Sequence, residues 1–273
     1  MAVPMTGGVA VPVTNVVQFE PRLPRVAAGY LYWHSGDGTR SIFRMRLADI
    51  PNGPVETVVE GIVNPHYNTV DAFGVAGDQV YWTVGSTLGA ALETIQGRQI
   101  GKGLVEPLLD VPEAIRAVAF DVSGIFWDHS CCDQQVRYLS VTGGKASDFY
   151  VKQDPLGQPA THLRLLGVQQ GFVYWHEGLP GGGLIKRQAT TAGSMSETIV
   201  AAMPHELGDQ TIAVSDNDQL FLVNRDGEIG TVVKAGAYYR TIALPKTTFA
   251  AFGLDATHVY WLDTSGSLWR TLK

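Results

Sequence analysis

The sequence has almost no cysteine, and that shortage excludes a fold stapled by disulfides. Its 273 residues include only two cysteines, Cys131 and Cys132, which are neighbours in the chain. Neighbouring Cα atoms lie about 3.8 Å apart, whereas a usual disulfide joins residues about 4.4 to 6.8 Å apart. The alternatives that remain are two free thiols, a strained vicinal disulfide or a reactive thiol site.

The sequence also lacks a long apolar run and a leader segment. No stretch approaches the roughly 20 apolar residues that a membrane-spanning helix requires. Residues 1–5 read Met-Ala-Val-Pro-Met, without the basic region and apolar stretch of a secretory signal. We therefore expect a soluble chain with no membrane span and no signal peptide within it, and a secreted or periplasmic origin stays open.

Basic residues are too few and too scattered for a nucleic-acid-binding surface. The chain has 20 lysines and arginines against 26 acidic residues, a formal net charge of -6. A phosphate backbone is bound by clustered lysine and arginine, and the sequence contains no basic run of that kind. We therefore expect no nucleic acid among its partners.

What the chain does contain favours β-structure. Its 31 glycines and 14 prolines provide frequent turns, and its apolar fraction of 45% is rich in valine, leucine, isoleucine and aromatic residues. Such residues suit short, half-buried strands. Length alone allows one domain or two, so the repeat pattern has to decide.

One aromatic strand pattern recurs six times along the chain. The pattern is an apolar residue followed by two residues that are mostly aromatic, and we call the last of the three the anchor. The anchors are, in turn, Trp33, Trp82, Trp127, Trp175, Leu222 and Trp261. Successive anchors are 39 to 49 residues apart, and a propeller blade has roughly 40 to 50 residues. The tryptophans share one position of the repeat, so we expect them to pack between blades.

Each repeat contains four short strands joined by turns, with no helical periodicity between them. Residues 72–75 represent the first strand of a repeat, 79–82 the aromatic second strand, 41–45 the third and 55–59 the fourth. Four antiparallel strands of this length form one blade. The sequence thus predicts an all-β, six-bladed β-propeller of four-stranded antiparallel blades, with residues 1–273 as a single domain.

The sixth repeat is one strand short. The chain ends at Lys273, just after the third strand at residues 268–271. Residues 14–19, Thr-Asn-Val-Val-Gln-Phe, resemble the outer strands of the other repeats. We expect this N-terminal strand to complete the last blade and close the ring, which leaves no long exposed sheet edge.

The aromatic strands carry a family resemblance. Four of them read Tyr32-Trp33-His34-Ser35, Tyr81-Trp82-Thr83-Val84, Phe126-Trp127-Asp128-His129 and Tyr174-Trp175-His176-Glu177. The pattern resembles the YWTD propellers of LDL-receptor-type proteins and their bacterial relatives. The resemblance implies six blades, in agreement with the repeat count, but no activity, since propellers serve many functions.

Six of the seven histidines are predicted to share one face of the fold. Successive antiparallel strands reverse direction, so the loop after the second strand lies at the same end as the loop before the first. The histidines at these two places are His34, His129, His176, His66, His162 and His205. They represent either ordinary polar loop residues or a site that uses histidine as acid, base or metal ligand.

A divalent metal ion is one occupant that these histidines could hold. In a ring of six, repeats 1 and 4 are opposite, so His34 would face His176 across the axis. Repeats 2 and 5 are also opposite, so His66 would face His205. Second strands lie about 4.8 Å outside the first, and a zinc–nitrogen bond is only about 2.1 Å. Only His66 and His205, on entry loops, could therefore lean inward to share an ion.

A second set of candidate residues lies eleven positions before the anchors, where the first strand of a repeat begins. The first four occupants are Arg22, Asp71, Arg116 and Arg164. The planar fork of arginine binds carboxylate or phosphate, so an anionic small molecule is a suitable ligand. An internal ring of salt bridges around Asp71 is the alternative explanation.

Two classes of function follow from these residues. The first is a propeller that binds a small or extended polar ligand, a glycan or an anionic metabolite, on the face with Arg22, Asp71, Arg116, Arg164, His34 and His129. The second is an enzyme, a lyase or lactone hydrolase resembling the virginiamycin B lyase and gluconolactonase propellers. Its catalytic candidates are His66, His205, Glu206, His176 and Glu177. A protein-interaction scaffold is a further alternative.

Overall fold

The computed structural model describes most of the predicted strands and part of the loops. The described residues are 21–35, 41–49, 52–62, 67–86, 93–102, 105–111, 115–129, 135–142, 144–152, 163–179, 182–191, 193–203, 213–215, 219–223, 228–233, 239–243, 249–254, 258–263 and 268–273. They contain 23 strands and one short 3-10 helix. No helix within these ranges is long and apolar enough to cross a membrane.

The first three sheets are four-stranded. Sheet 1 contains β1 (Pro21–Ala27), β2 (Tyr30–Ser35), β3 (Ile42–Arg46) and β4 (Glu56–Val59), with the 3-10 helix Leu47–Asp49 after β3. Sheet 2 contains β5 (Tyr67–Ala76), β6 (Gln79–Ser86), β7 (Glu93–Gln99) and β8 (Glu106–Val111). Sheet 3 contains β9 (Ile115–Asp121), β10 (Gly124–His129), β11 (Gln135–Ser140) and β12 (Ser147–Val151).

Two more four-stranded sheets and one three-stranded sheet follow. Sheet 4 contains β13 (Leu163–Gln169), β14 (Phe172–Leu179), β15 (Gly182–Ala189) and β16 (Glu197–Met203). Sheet 5 contains β17 (Ala213–Ser215), β18 (Gln219–Val223), β19 (Ile229–Val233) and β20 (Tyr239–Ala243). Sheet 6 contains β21 (Phe249–Leu254), β22 (His258–Asp263) and β23 (Leu268–Leu272).

Each sheet is an antiparallel meander in which consecutive strands pair. In sheet 1, for example, Tyr30 pairs with Arg46 and His34 with Ile42 across β2 and β3. The predicted four-stranded units are confirmed, and six sheets within the described residues fit six blades. The predicted closing strand at residues 14–19 lies outside the described residues, so ring closure stays a prediction.

Two of the hairpins are fixed by their own turn residues. The β1–β2 turn has φ angles of 48° at Ala28 and 78° at Gly29, and the β13–β14 turn has 53° at Gln170 and 74° at Gly171. Two successive positive φ angles are typical of the type I′ turn, whose twist matches that of paired strands. These turns set the register of the first two strands in sheets 1 and 4.

Contacts divide the chain into two compact units. The first comprises Met1–Ile115 with Ser140–Ala146, and the second comprises Arg116–Leu139 with Ser147–Lys273. Sheets 1 and 2 belong to the first unit, and nearly all of sheets 3 to 6 belongs to the second. The prediction of a single domain is not tested by this division.

The core of each unit lies between neighbouring sheets. In the first unit, Trp82 packs in one buried cluster with Tyr32 and Val59, which joins sheets 1 and 2. In the second, Trp175 packs with Phe126 and Leu165, which joins sheets 3 and 4. Alternate residues of each strand point to opposite faces, so sheet 4 contributes to two such layers, through Trp175 to one with sheet 3 and through Tyr174 to one with sheet 5. The predicted position of these two tryptophans between blades is confirmed.

The first strands of several sheets are irregular near their beginnings. Register shifts occur between Arg22 and Arg25, Val70 and Ala72, Leu165 and Gly167, and Phe249 and Ala251. A bulge of this kind bends the strand and redirects side chains beside it. In β13 the irregularity begins one residue after Arg164, a position predicted to bear a site.

Sheets 1 and 4 carry the same cross-strand arrangement of side chains at the end near the β1–β2 and β13–β14 turns. In sheet 1 the guanidinium of Arg44 lies 4.4 Å from the ring centre of Tyr30 and forms an ion pair with Glu56 at 2.6 Å. Sheet 4 repeats it with Phe172, Arg187 and Glu197. These pairs are partly exposed, so each contributes at most about 1 kcal/mol.

Candidate functional site

Four predicted site residues have described side chains, and all four are buried. Their exposed fractions are 6% for His34, 8% for Arg164, 3% for His176 and 3% for Glu177. Charged side chains are rarely buried without partners or function. Three of the four belong to sheet 4 in the second unit, which therefore provides the candidate site.

The other predicted residues are described less completely or not at all. Arg22, Asp71, Arg116 and His129 lie on strands β1, β5, β9 and β10, but their side chains are not described. The remaining candidates, His66, His205 and Glu206, lie outside the described residues, as does His162. Their predicted roles stay predictions.

Arg164 and His176 lie side by side on sheet 4. They are directly paired across β13 and β14, and directly paired residues point to the same face of a sheet. On that face Tyr174 packs in one cluster with Leu220 and Leu222 of sheet 5. The structure thus brings together one arginine and one histidine that sequence spacing had assigned to separate sets.

The imidazole of His176 rests directly on the backbone of β15. A Cβ atom added to Gly183 would lie 2.1 Å from His176 Nε2 and 2.6 Å from the backbone oxygen of Glu177. The absence of a side chain at Gly183 therefore makes room for the ring. Within the described part of the chain, buried Nε2 makes no hydrogen bond, and such an atom calls for an explanation.

His176 is held in its neutral form. Burial, and then the neighbouring positive charge of Arg164, lower its pKa from the ordinary 6.5 to about 4, while Glu177 opposes the shift. Desolvation penalises the imidazolium, and a nearby cation adds to that penalty. At neutral pH the pair consists of a charged guanidinium and an uncharged imidazole.

This shift predicts a pH-dependent stability. Between about pH 6.5 and 4 the unfolded chain protonates His176 and the folded chain does not, so lowering the pH favours unfolding. We expect His176 to account for a loss of about 3 kcal/mol in the free energy of unfolding across that window. Urea denaturation at a series of pH values measures it.

The matched variant is His176→Gln, which keeps a neutral polar side chain but cannot titrate. Its stability should fall less than that of the wild type between pH 6.5 and 4, by the amount attributed to His176. The same pH dependence in both proteins would show that His176 does not carry the effect.

Glu177 lies on the opposite face of sheet 4 and is the centre of a polar cluster against sheet 3. Its Oε1 accepts hydrogen bonds from Tyr150 OH at 2.6 Å and Trp175 Nε1 at 3.1 Å. Lys186 Nζ lies 3.1 Å from the same oxygen and 3.2 Å from Tyr150 OH. Two hydrogen-bond donors and the ammonium of Lys186 compensate the burial of this carboxylate.

Tyr150 is held protonated in this cluster. Burial, and then the hydrogen bond to the negative charge of Glu177, raise its pKa above the ordinary value. Its ring lies 4.4 Å from that of Trp175. Tyr150 therefore acts as a hydrogen-bond donor between sheets 3 and 4, and its phenol is not a base at neutral pH.

Asp128 also joins sheets 3 and 4, through backbone groups. Its carboxylate is fully buried, and it accepts hydrogen bonds from the amide of Ala117 at 2.8 Å and from the amide of Leu165 at 2.9 Å. Leu165 follows Arg164 directly and precedes the irregularity of β13. Asp128 thereby fixes the stretch of β13 that carries Arg164.

Sheet 1 repeats the arginine–histidine pairing at the level of the strands. Arg22 is the direct partner of His34 across β1 and β2, as Arg164 is of His176. In both repeats the arginine lies eleven residues before the anchor tryptophan, Trp33 or Trp175, and the histidine directly follows it. The predicted spacing therefore corresponds to a real cross-strand relation in both sheets.

Sequence reasoning missed three residues of the site. Asp128, Lys186 and Tyr150 are absent from the residues that the sequence analysis predicted to form a site. Asp128 had a signal, because it follows Trp127 at the position that His176 holds after Trp175. Lys186 and Tyr150 come from strands 3 and 4 of different repeats, which no sequence spacing links.

Metal binding finds no support in the described residues. Within them, no three histidine, cysteine or acidic side chains are placed so that they could hold an ion. The proposed ligands His66 and His205 lie outside those ranges, so the predicted metal site is not tested.

Comparison with known proteins identifies the fold but no family. No protein-family model matches the sequence, and no curated protein matches it significantly. Among solved structures, a prolyl endopeptidase is similar with a TM-score of 0.59 and 9% identity over 90% of this chain. This chain spans only 40% of the length of that endopeptidase chain.

The N-terminal domain of Nup159 is a second similar structure. Its TM-score is 0.54, its identity is 9%, and the match covers 91% of this chain and 74% of that one. At such identities a likeness shows the fold alone. Together with the antiparallel four-stranded sheets, it shows that the chain has an all-β, β-propeller fold.

Proposed function

We propose that this β-propeller is a binding protein that takes a small polar ligand by its anionic group at Arg164 and His176. This anionic group is a carboxylate, as in a sugar acid or another anionic metabolite. The observation that carries the proposal is the buried pairing of a guanidinium with a neutral imidazole whose Nε2 makes no hydrogen bond within the described residues.

Arg164 supports this proposal by its charge and its geometry. Arginine stays protonated at every physiological pH, and its planar fork can donate two parallel hydrogen bonds to one carboxylate. Arg164 is only 8% exposed, and a buried charge acts more strongly on a nearby anion than one in water. It would supply most of the attraction.

His176 supports the proposal by its neutrality. A neutral imidazole has one N–H donor and one acceptor nitrogen, and a donor at Nε2 could bond to an anion that Arg164 also holds. With a pKa of about 4, the ring is a weak base at neutral pH, which favours recognition over proton abstraction. The lyase or lactone hydrolase alternative would use His66 or His205 as base or ligand, with Glu206 or Glu177 as its partner.

The test replaces Arg164 by methionine and measures ligand binding by calorimetry. Glucuronate serves as the carboxylate probe and inorganic phosphate as a second anion. We expect Arg164→Met to weaken binding at least about tenfold, since hydrogen bonds to a charged group contribute about 1.5 to 3 kcal/mol. The variant should fold, because an apolar isostere of a buried charge is often tolerated.

Arg187→Met is the matched control. It removes an arginine from the same sheet, at the end near the Gln170–Gly171 turn. Arg187 pairs there with Glu197, so binding should not change. The proposal fails if neither probe binds the wild-type protein, or if Arg164→Met binds as well as the wild type. Chemical conversion of the bound probe would instead establish the enzyme alternative.

A further inference from the structure

The loop between β15 and β16 presents one methionine to solvent. The described part of this loop, residues 190, 191 and 193–196, contacts the sheet, because Thr190 N donates to the carbonyl of Gly171 at 2.8 Å. Ser194 Oγ donates to the carbonyl of Ala189 at 2.6 Å, and the amide of Ser194 donates to the carbonyl of Thr191 at 3.3 Å. Thr190 and Ser194 are therefore held against the sheet, and Met195 directly follows Ser194.

Met195 differs sharply in exposure from the other methionines that the structure describes. It is 89% exposed, whereas Met45 is 1% and Met203 3% exposed. The two buried residues fill apolar clusters, Met45 with Trp33 and Phe43, and Met203 with Tyr174. An apolar side chain this exposed contributes nothing to the core.

We propose that Met195 is an oxidation site, which a peroxide modifies before Met45 and Met203. The thioether sulfur attacks one peroxide oxygen, an S–O bond forms and the O–O bond breaks. The sulfur is oxidised to the sulfoxide, and hydrogen peroxide is reduced to water. Access of the sulfur to the oxidant sets the order of reaction along the chain.

The fold tolerates this modification at Met195 and would not tolerate it at the buried methionines. A sulfoxide is polar, and burying a polar group without a partner costs free energy. Met195 lies beyond β15, beside the Gln170–Gly171 turn, at the end of sheet 4 away from Arg164 and His176. Oxidation there should leave stability and the arginine–histidine pair unchanged.

Both faces of so exposed a sulfur are open to the oxidant. Attack from either side gives both epimers of the sulfoxide, and each epimer is the substrate of a different methionine sulfoxide reductase. The modification is therefore reversible in principle. A complete return to methionine would require both reductases.

The test is peptide mapping by mass spectrometry during exposure of the folded protein to hydrogen peroxide. We expect the peptide with Met195 to gain one oxygen on the order of tenfold faster than those with Met45 and Met203. In urea-unfolded protein the three rates should become similar. Treatment with both reductases should remove the added oxygen, and each alone only part of it.

Met195→Leu is the matched variant, with similar size and no thioether. Its corresponding peptide should gain no oxygen, and the unfolding midpoints of the variant and of the oxidised wild type should equal that of the untreated protein. The proposal is overturned if Met45 or Met203 reacts as fast as Met195 in the folded protein. It is also overturned if oxidation of Met195 alone lowers stability.

Discussion

Replacement of Asp128 by alanine is expected to lower the free energy of unfolding by about 3 to 5 kcal/mol. Its carboxylate accepts the amides of Ala117 and Leu165 and is fully buried. Alanine leaves these two donors without their acceptor and opens a void between sheets 3 and 4. Urea denaturation followed by tryptophan fluorescence measures the loss.

Asp128→Asn separates charge from shape. The amide keeps the volume but turns one acceptor into a donor that faces an N–H group, so we expect it to be destabilising as well. Asp148→Ala is the control from the same sheet. Asp148 pairs with Arg137 at the surface, with 49% of its side chain exposed, and its loss should cost less than about 1 kcal/mol. Equal losses for Asp128 and Asp148 would refute the role of Asp128.

Gly183→Ala is expected to destabilise the protein by about 3 kcal/mol and to weaken binding of the anionic probe. The new Cβ would lie 2.1 Å from His176 Nε2 and 2.6 Å from the backbone oxygen of Glu177. Contacts this short force the imidazole away or spread β14 from β15. Chemical denaturation and calorimetry measure the two effects.

The double variant His176→Ala, Gly183→Ala tests which contact matters. Removal of the imidazole relieves the first clash but leaves the second, with backbone, so rescue should be partial. We expect the two substitutions to be non-additive by about 1 to 2 kcal/mol. Strict additivity would mean that the ring does not depend on the space above Gly183, and a fully stable Gly183→Ala protein would mean that β15 moves freely.

The sequence determined the secondary structure and its repetition because both depend on local patterns. Short strands separated by turns, the abundance of glycine and proline, and the recurrence of Trp33, Trp82 and Trp175 are visible in one chain. Together they predicted antiparallel four-stranded units, and the sheets confirm them. The same repeat spacing selected Arg164 and His176 as site residues, and the structure shows that they pair directly across two strands.

Tertiary structure alone decided what each polar residue contacts. Glu177 follows His176 in the chain, yet alternation along β14 directs it to the other face, where Tyr150 and Lys186 bind it. Asp128 directly follows Trp127 in an aromatic strand, but only the structure shows that it joins two sheets. Such contacts form between residues distant in sequence, and their partners depend on how neighbouring sheets pack, which strand periodicity does not encode.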